Sequence, residues 1–233
     1  MPLNGVIRYD CDIKGAIMTD SIIPIRFYSF PLSGHAHRVE LLLRALDLPY
    51  ERIDVDLAGK QQKSDEFLEL NPFGQIPVID DEGTVIWDSA AILVYLCLKY
   101  DQAETFLPRD PTCAAQITAW LGKAAGPINY GMAAARRINV FKGAGDLAAA
   151  QAIAHDLLKI MDAHLAEQAW LVGHDETIAD FACYAYIAHA PEGGIDLSAY
   201  SYVNDWVARV EALPYFVSMP RSPVGLWAAK AAG

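Results

Sequence analysis

The chain has 233 residues, 53% of them hydrophobic and 20% charged, with a mean hydropathy of +0.16; such a composition supplies a sizeable core and excludes disorder as the main state. Lys and Arg number 18 against 29 Asp and Glu, a formal net charge of -11, which excludes a global attraction to nucleic-acid phosphate or anionic lipid. Residues 1–104 hold 9 basic and 17 acidic side chains, net -8, and residues 105–233 hold 9 and 12, net -3, so neither half is basic.

Residues 1–21 match no periodic template and are expected to form a poorly ordered extension, with Met18 as an alternative start. Arg8, Asp10, Asp12 and Lys14 interrupt Met1–Thr19 where a secretory signal needs an unbroken apolar run. Ile25–Ser29, apolar and bounded by Pro24 and Pro31, predicts a strand. Ser33-Gly34 opens a helix whose apolar face is Val39, Leu42, Leu43 and Leu46, with Arg38, Glu40 and Arg44 off that face. Glu51–Leu57 alternates and predicts a second strand, completing a βαβ unit. A short helix is expected near Glu66–Leu70. Ile76–Ile79 and Thr84–Trp87 flank Asp80-Asp81-Glu82-Gly83 as a hairpin. Asp88-Ser89 then caps a helix running to Lys99-Tyr100. No apolar stretch, Ala90–Leu98 included, reaches the ~18–20 residues needed to cross a membrane.

Beyond Pro108 only helical patterns occur. Residues 112–139 carry Gly126-Pro127 inside the pattern, so a kink or break is expected. Asp146 is a candidate N-cap for a helix with the stripe Leu147, Ile153, Leu157, Met161 and Leu165. Thr177-Ile178-Ala179-Asp180 reads as a capping box with Asp in place of Glu, and a last helix is expected over Ser201–Leu213. The predicted division is an extension (1–21), an α/β domain (22–103) and an all-helical domain (110–233). Cys11, Cys97, Cys113 and Cys183 form neither a CxxC pair nor a zinc motif, and predict reduced thiols in a cytoplasmic protein.

Three places can carry chemistry. Ser33 sits at a helix start, where free N–H groups and the positive dipole end favour an anion such as a thiolate; it is equally an ordinary N-cap. His35 and His37 beside it read as solvent-facing or packing residues, and without a third ligand they make no metal site. In Asn71-Pro72-Phe73-Gly74-Gln75-Ile76-Pro77, a cis Ile76-Pro77 bond would turn the Ile76 backbone toward an extended peptide; the alternative is an edge strand opening with proline. Asp88-Ser89 suits a head group carrying both charges, or is a plain N-cap. No GxSxG, GxGxxG or Walker pattern is present. Arg136-Arg137 reads as a solvated helix face.

Phe27-Tyr28-Ser29-Phe30-Pro31-Leu32-Ser33-Gly34 leading to Arg38-Val39, then Leu48-Pro49-Tyr50-Glu51, Asn71–Val78 and Trp87-Asp88-Ser89-Ala90-Ala91-Ile92, together resemble the cytosolic glutathione transferase superfamily, in its serine-type, bacterial-like form. Trp120-Leu121, Gly126-Pro127 and Thr177–Asp180 extend the resemblance more loosely. It implies a thioredoxin-like N-terminal domain, an all-helical C-terminal domain and a homodimer. It implies bound glutathione as co-substrate, with Ile76 and cis Pro77 at the cysteinyl part, Asp88 and Ser89 at the γ-glutamyl end, and Gln75 with Lys60 or Gln62 beside the rest. Ser33 would face the sulfur, with Tyr28 and Ser29 in reserve. Many members have Glu where Asp88 stands, and no Cys lies near Ser33 to make a mixed disulfide. The electrophile would sit between the domains against Leu32, Trp120, Tyr130 and the C-terminal tail. No metal is implied. The activity implied is transfer of the glutathione thiolate to a small electrophile. The alternatives are a glutathione-dependent disulfide reductase or peroxidase, and a non-catalytic binding protein on the same scaffold.

Overall fold

The computed structural model describes residues 23–226; the expected extension over 1–21, with Met18 and Cys11, lies outside the described residues. Strand β1 (Ile25–Ser29) runs parallel to β2 (Tyr50–Asp54), and helix α1 (Gly34–Ala45) crosses between them. After α2 (Asp65–Leu70), β3 (Val78–Asp81) and β4 (Thr84–Trp87) form an antiparallel hairpin on the other side of β1, giving the order β2-β1-β3-β4. Helix α3 (Ser89–Tyr100) closes this thioredoxin-like domain. The all-helical domain follows, with α4 (Pro111–Lys123), α5 (Ala134–Phe141), α6 (Leu147–Leu165), α7 (Ile178–Ala188) and α8 (Ser201–Glu211).

Two strands depart from their predicted limits, β2 ending early and β3 starting two residues late, each for a local reason. In β2, Val55 makes the last bond to β1 (N–H to Ser29 O, 2.8 Å). Asp56 then turns the chain, its carboxylate accepting from the Gly59 N–H and its own N–H donating to Gln61 Oε1, both at 2.8 Å. β3 starts only after Pro77, which has no N–H to give a ladder. The hairpin turn has positive φ at both central residues, Glu82 (53°) and Gly83 (88°), a geometry that matches the twist of the strands.

Helix α1 is buried on two sides. Val39, Leu42 and Leu43 are buried, as their spacing predicts, in one core with Phe27 and Ile79 of the sheet and Leu93 and Leu96 of α3. Arg38 is buried as well, because α7 packs across the face that the sequence leaves polar, and Glu40 is covered from β2, its carboxylate accepting from Tyr50 and Arg52 at 3.0 Å each. Below the sheet, Tyr28, Val55, Phe67 and Val78 form a second small core.

In the helical domain Pro127 does not break the chain. It lacks an N–H and its ring crowds the carbonyl one turn back. Residues 124–133 widen into π geometry and join α4 to α5 without interruption. Gly131 lies where α6 approaches most closely: a Cβ there would come within 2.9 Å of the Ala154 nitrogen. This close packing corrects the stripe expected for α6. Ala150 and Ala154 join Leu157, Leu158, Met161 and Leu165 in the core, whereas Ile153 is 39% exposed.

Helix α7 is buried along Ile178–Ile187 and opens with the expected capping box. The Thr177 side chain accepts from the Ala179 N–H, and Asp180 accepts from Thr177 N–H (2.9 Å), Leu171 N–H (3.0 Å) and Trp206 Nε1 (2.9 Å). Burial pushes the Asp180 carboxyl up to about 6, against the pull of those donors, so it is ionised at neutral pH. Asp180→Asn turns a donor amide toward several N–H groups and is expected to cost about 3 kcal/mol or more, read from thermal or denaturant unfolding.

Candidate functional site

A cleft of about 840 Å³ opens between the two domains, within the ~300–1,000 Å³ typical of small-ligand sites. Leu32, Ser33, His35 and Gln75 line it from the first domain, and Tyr130, Arg136, Arg137 and Tyr186 from the second. Ser33 is the N-cap of α1, with φ -93° and ψ 112°. Its Oγ accepts from the Ala36 N–H at 3.2 Å, which leaves the hydroxyl proton to donate.

The reserves lie elsewhere. Tyr28 points to the far face of the sheet, edge-on to Phe67 (centroids 6.0 Å), and Ser29 is 1% exposed. Neither lines the cleft. Tyr28→Phe is accordingly expected to leave turnover within about twofold of the parent, as a steady-state assay would record.

The Ile76-Pro77 bond is cis. Asn71 builds the loop before it: buried, it donates from Nδ2 to Gln75 O (2.7 Å) and accepts the Phe73 N–H (3.0 Å). Gly74 (φ 55°) passes so near the 61–63 turn that a Cβ would lie 2.5 Å from the Gln62 carbonyl oxygen. Gln62 is half-buried with Oε1 unpartnered, Lys60 is exposed, and Lys63 rather than Lys60 ties down the loop, donating to Phe73 O at 2.9 Å.

Asp88 has φ 71° and ψ 124°, a backbone a non-glycine residue adopts only under strain, of order 1–3 kcal/mol. One carboxylate oxygen takes the Ala90 and Ala91 N–H groups (2.8 and 3.2 Å), and the residue is exposed. Ser89 is buried, its Oγ accepting from Arg38 at 3.2 Å. Arg38 is 2% exposed, with Nε and Nη2 unpartnered. It places a positive charge between the starts of α1 and α3, a local counterweight to the acidic whole.

Two expectations need correction. Trp120 does not reach the cleft: it packs on His164 (centroids 5.3 Å) and lines a separate groove with Ile153 and Ile160. Arg136 is not on a solvated face. It is 2% exposed, pairs with the buried Glu192, and donates from Nη1 to Leu32 O at 2.7 Å. His37 is a packing residue, as one of its two readings had it: it is buried against Tyr184 and Phe216 and bonded through Nε2 to Val217 O at 2.7 Å. Leu32, Tyr130 (65% exposed) and Arg137 do border the cleft. His35 is lowered to about 3 by burial and by the Arg38 charge, against a hydrogen bond with Asn129, so it is neutral at working pH. Among the described residues no cluster of three His, Cys, Asp or Glu could hold a metal.

Residues 23–97 match the family model of the glutathione S-transferase N-terminal domain, and residues 113–214 that of the C-terminal domain. The chain belongs to the glutathione S-transferase family. It is 33% identical over 208 residues to glutathione S-transferase 3 of Zea mays, covering 83% of this chain and 91% of that one. The crystal structure of glutathione S-transferase from Pseudomonas fluorescens superposes with a TM-score of 0.79 at 34% identity, over 85% of this chain and 99% of that one. A glutathione transferase homologue from Drosophila mojavensis, solved with bound glutathione, gives 0.76 at 27% identity, over 82% and 88%. The N-terminal glutathione S-transferase match spans Ser33, Ile76-Pro77 and Asp88-Ser89; the C-terminal match spans Tyr130, Arg136 and Tyr186.

Proposed function

We propose that the chain is a glutathione transferase that adds the glutathione thiolate to a small electrophile, with Ser33 as the catalytic hydroxyl. The observation that carries this is Ser33 itself: an N-cap whose proton is left over, at a cleft lined by both domains. Ile76 beside its cis proline, outside the β3 ladder, would pair with the cysteinyl backbone. The α3 start would hold the γ-glutamyl end, its Asp88 having one oxygen beyond the two capping bonds. Gln75 and Gln62, or Lys60, would meet the remainder. The electrophile would lie against Leu32 and Tyr130.

A thiol with a pKa near ~8.5 is only a few per cent ionised at neutral pH. Lowering it by about two units makes thiolate dominant, worth at most ~1.5 log units in reactive species. Orientation of the electrophile in the cleft supplies what remains. The family likeness and the glutathione-bound homologue support a glutathione site. The homodimer is part of the same reading, supported by Phe73 and Leu98, apolar and 56% and 61% exposed.

Calorimetry with glutathione tests the site, and no heat at millimolar ligand would sink the enzyme reading. Turnover on a panel of chloronitroaromatics, disulfides and hydroperoxides separates transfer to carbon from reduction. Binding without turnover on any of them would leave a non-catalytic binder. Light scattering on the purified chain reads the oligomer.

A further inference from the structure

Helix α1 leaves the N–H groups of Gly34, His35 and Ala36 without helical partners. The Ala36 N–H goes to Ser33 Oγ at 3.2 Å. The N–H groups of Gly34 and His35 face the phenol oxygen of Tyr186, which reaches across from α7. The fit is close: a Cβ on Gly34 would lie 2.8 Å from the Tyr186 ring, and the His35 ring meets it edge-on at 5.0 Å. The positive end of α1 thus meets two hydroxyls at the cleft: Ser33 Oγ, which accepts from the Ala36 N–H, and the Tyr186 phenol packed over Gly34. Tyr186 is 7% exposed and lines the cleft beside Ser33. Among the described residues its hydroxyl donates to no other group.

We propose that Tyr186 is a second catalytic hydroxyl, donating from the helical domain to the sulfur that Ser33 meets from the first domain. This rests on the reading of the cleft as a glutathione site. Burial raises the Tyr186 pKa, outweighing the pull of Arg38, Arg136 and the two amides, and keeps the phenol protonated as a donor at neutral pH. The charged and titratable groups that face it are Arg38 and His35 from α1 and Arg136 from α5, with His35 neutral.

Tyr186→Phe keeps the ring over Gly34 and removes only the hydroxyl. The pKa of bound glutathione, followed by thiolate absorbance in the ultraviolet, is expected to rise by about one unit. Turnover at neutral pH should fall about threefold, as the thiolate fraction does, and return toward the parent value in alkali. If Tyr186 merely caps two amides, the variant loses stability, yet its thiol pKa and pH profile superimpose on the parent's; that result overturns the proposal. Fluorotyrosine placed at 186 supplies a second arm that preserves packing. Its more acidic hydroxyl should lower the bound thiol's pKa, and no change would count against the proposal. Failure of the parent chain itself to bind glutathione would instead remove the underlying reading, whatever either variant does.

Discussion

Ser33→Ala is expected to bind glutathione normally and to conjugate about 10- to 30-fold more slowly, within the worth of one hydrogen bond to a charged group. Binding survives because the proposed contacts with the tripeptide lie at Ile76 and at the start of α3, away from the lost oxygen. The loss should fall on kcat at neutral pH, with little change in KM for glutathione, since the hydroxyl acts on the ionised sulfur. A stability loss of about 1 kcal/mol accompanies it, because Ser33 Oγ caps α1 through the Ala36 N–H. Ser33→Thr retains both cap and hydroxyl and should recover much of the rate. Full activity in the alanine variant would remove Ser33 from the chemistry. Tyr28 could not inherit the role, since its ring lies across the sheet against Phe67.

Glu192→Ala should be the most damaging single change to stability. Glu192 is fully buried and receives three partners: Arg136, His189 Nδ1 (3.0 Å) and the Ser222 N–H (2.7 Å). Removing it strands the Arg136 guanidinium in the interior, a loss of about 3–5 kcal/mol, measurable by denaturant unfolding. The damage should extend to catalysis, because Arg136 also holds the Leu32 carbonyl one residue before Ser33. Burial pushes the Glu192 carboxyl up, but His189, the Ser222 N–H and the Arg136 charge prevail and keep it below the usual carboxylate range. A depressed folded pKa stabilises the fold above the unfolded value of about 4.3 and ceases to do so as pH falls through the folded one. Glu192→Gln should therefore flatten the acid side of the stability profile in thermal melts, while Asp54→Asn, at an exposed ion pair, should scarcely move it.

Much of this fold is legible in the sequence wherever the signal is local. Ile25–Ser29 and Thr84–Trp87 form strands with the expected limits, since proline or a Glu-Gly turn bounds them. Ser33, Asp88, Asp146 and Thr177 all cap helices as expected, because capping depends on a side chain and amides two or three residues away. Of the candidate site, Ser33, Leu32, Gln75 and Tyr130 meet at one cleft. What stays hidden is set by distant partners. Arg136 reads as a surface cation because Glu192, its counter-ion, is 56 residues away. Tyr186 sits in an apolar run, and nothing local places it at the cleft, since Gly34 and His35, which its ring meets, belong to another domain. Trp120 looks like a cleft aromatic, and only the packing of α4 against His164 shows that it turns away.

The π stretch from Ala124 to Ala133 bears on how the chain tolerates changes in length. An α-helix turns about 100° per residue, so a one-residue deletion from a regular α-helix swings everything downstream around the axis. A π turn takes up more residues, so here the wide turns closing to α would offset much of that swing. Arg136 would keep its reach toward Leu32. The widened segment thus acts as a length buffer, able to give up a residue while holding the second wall of the site in phase.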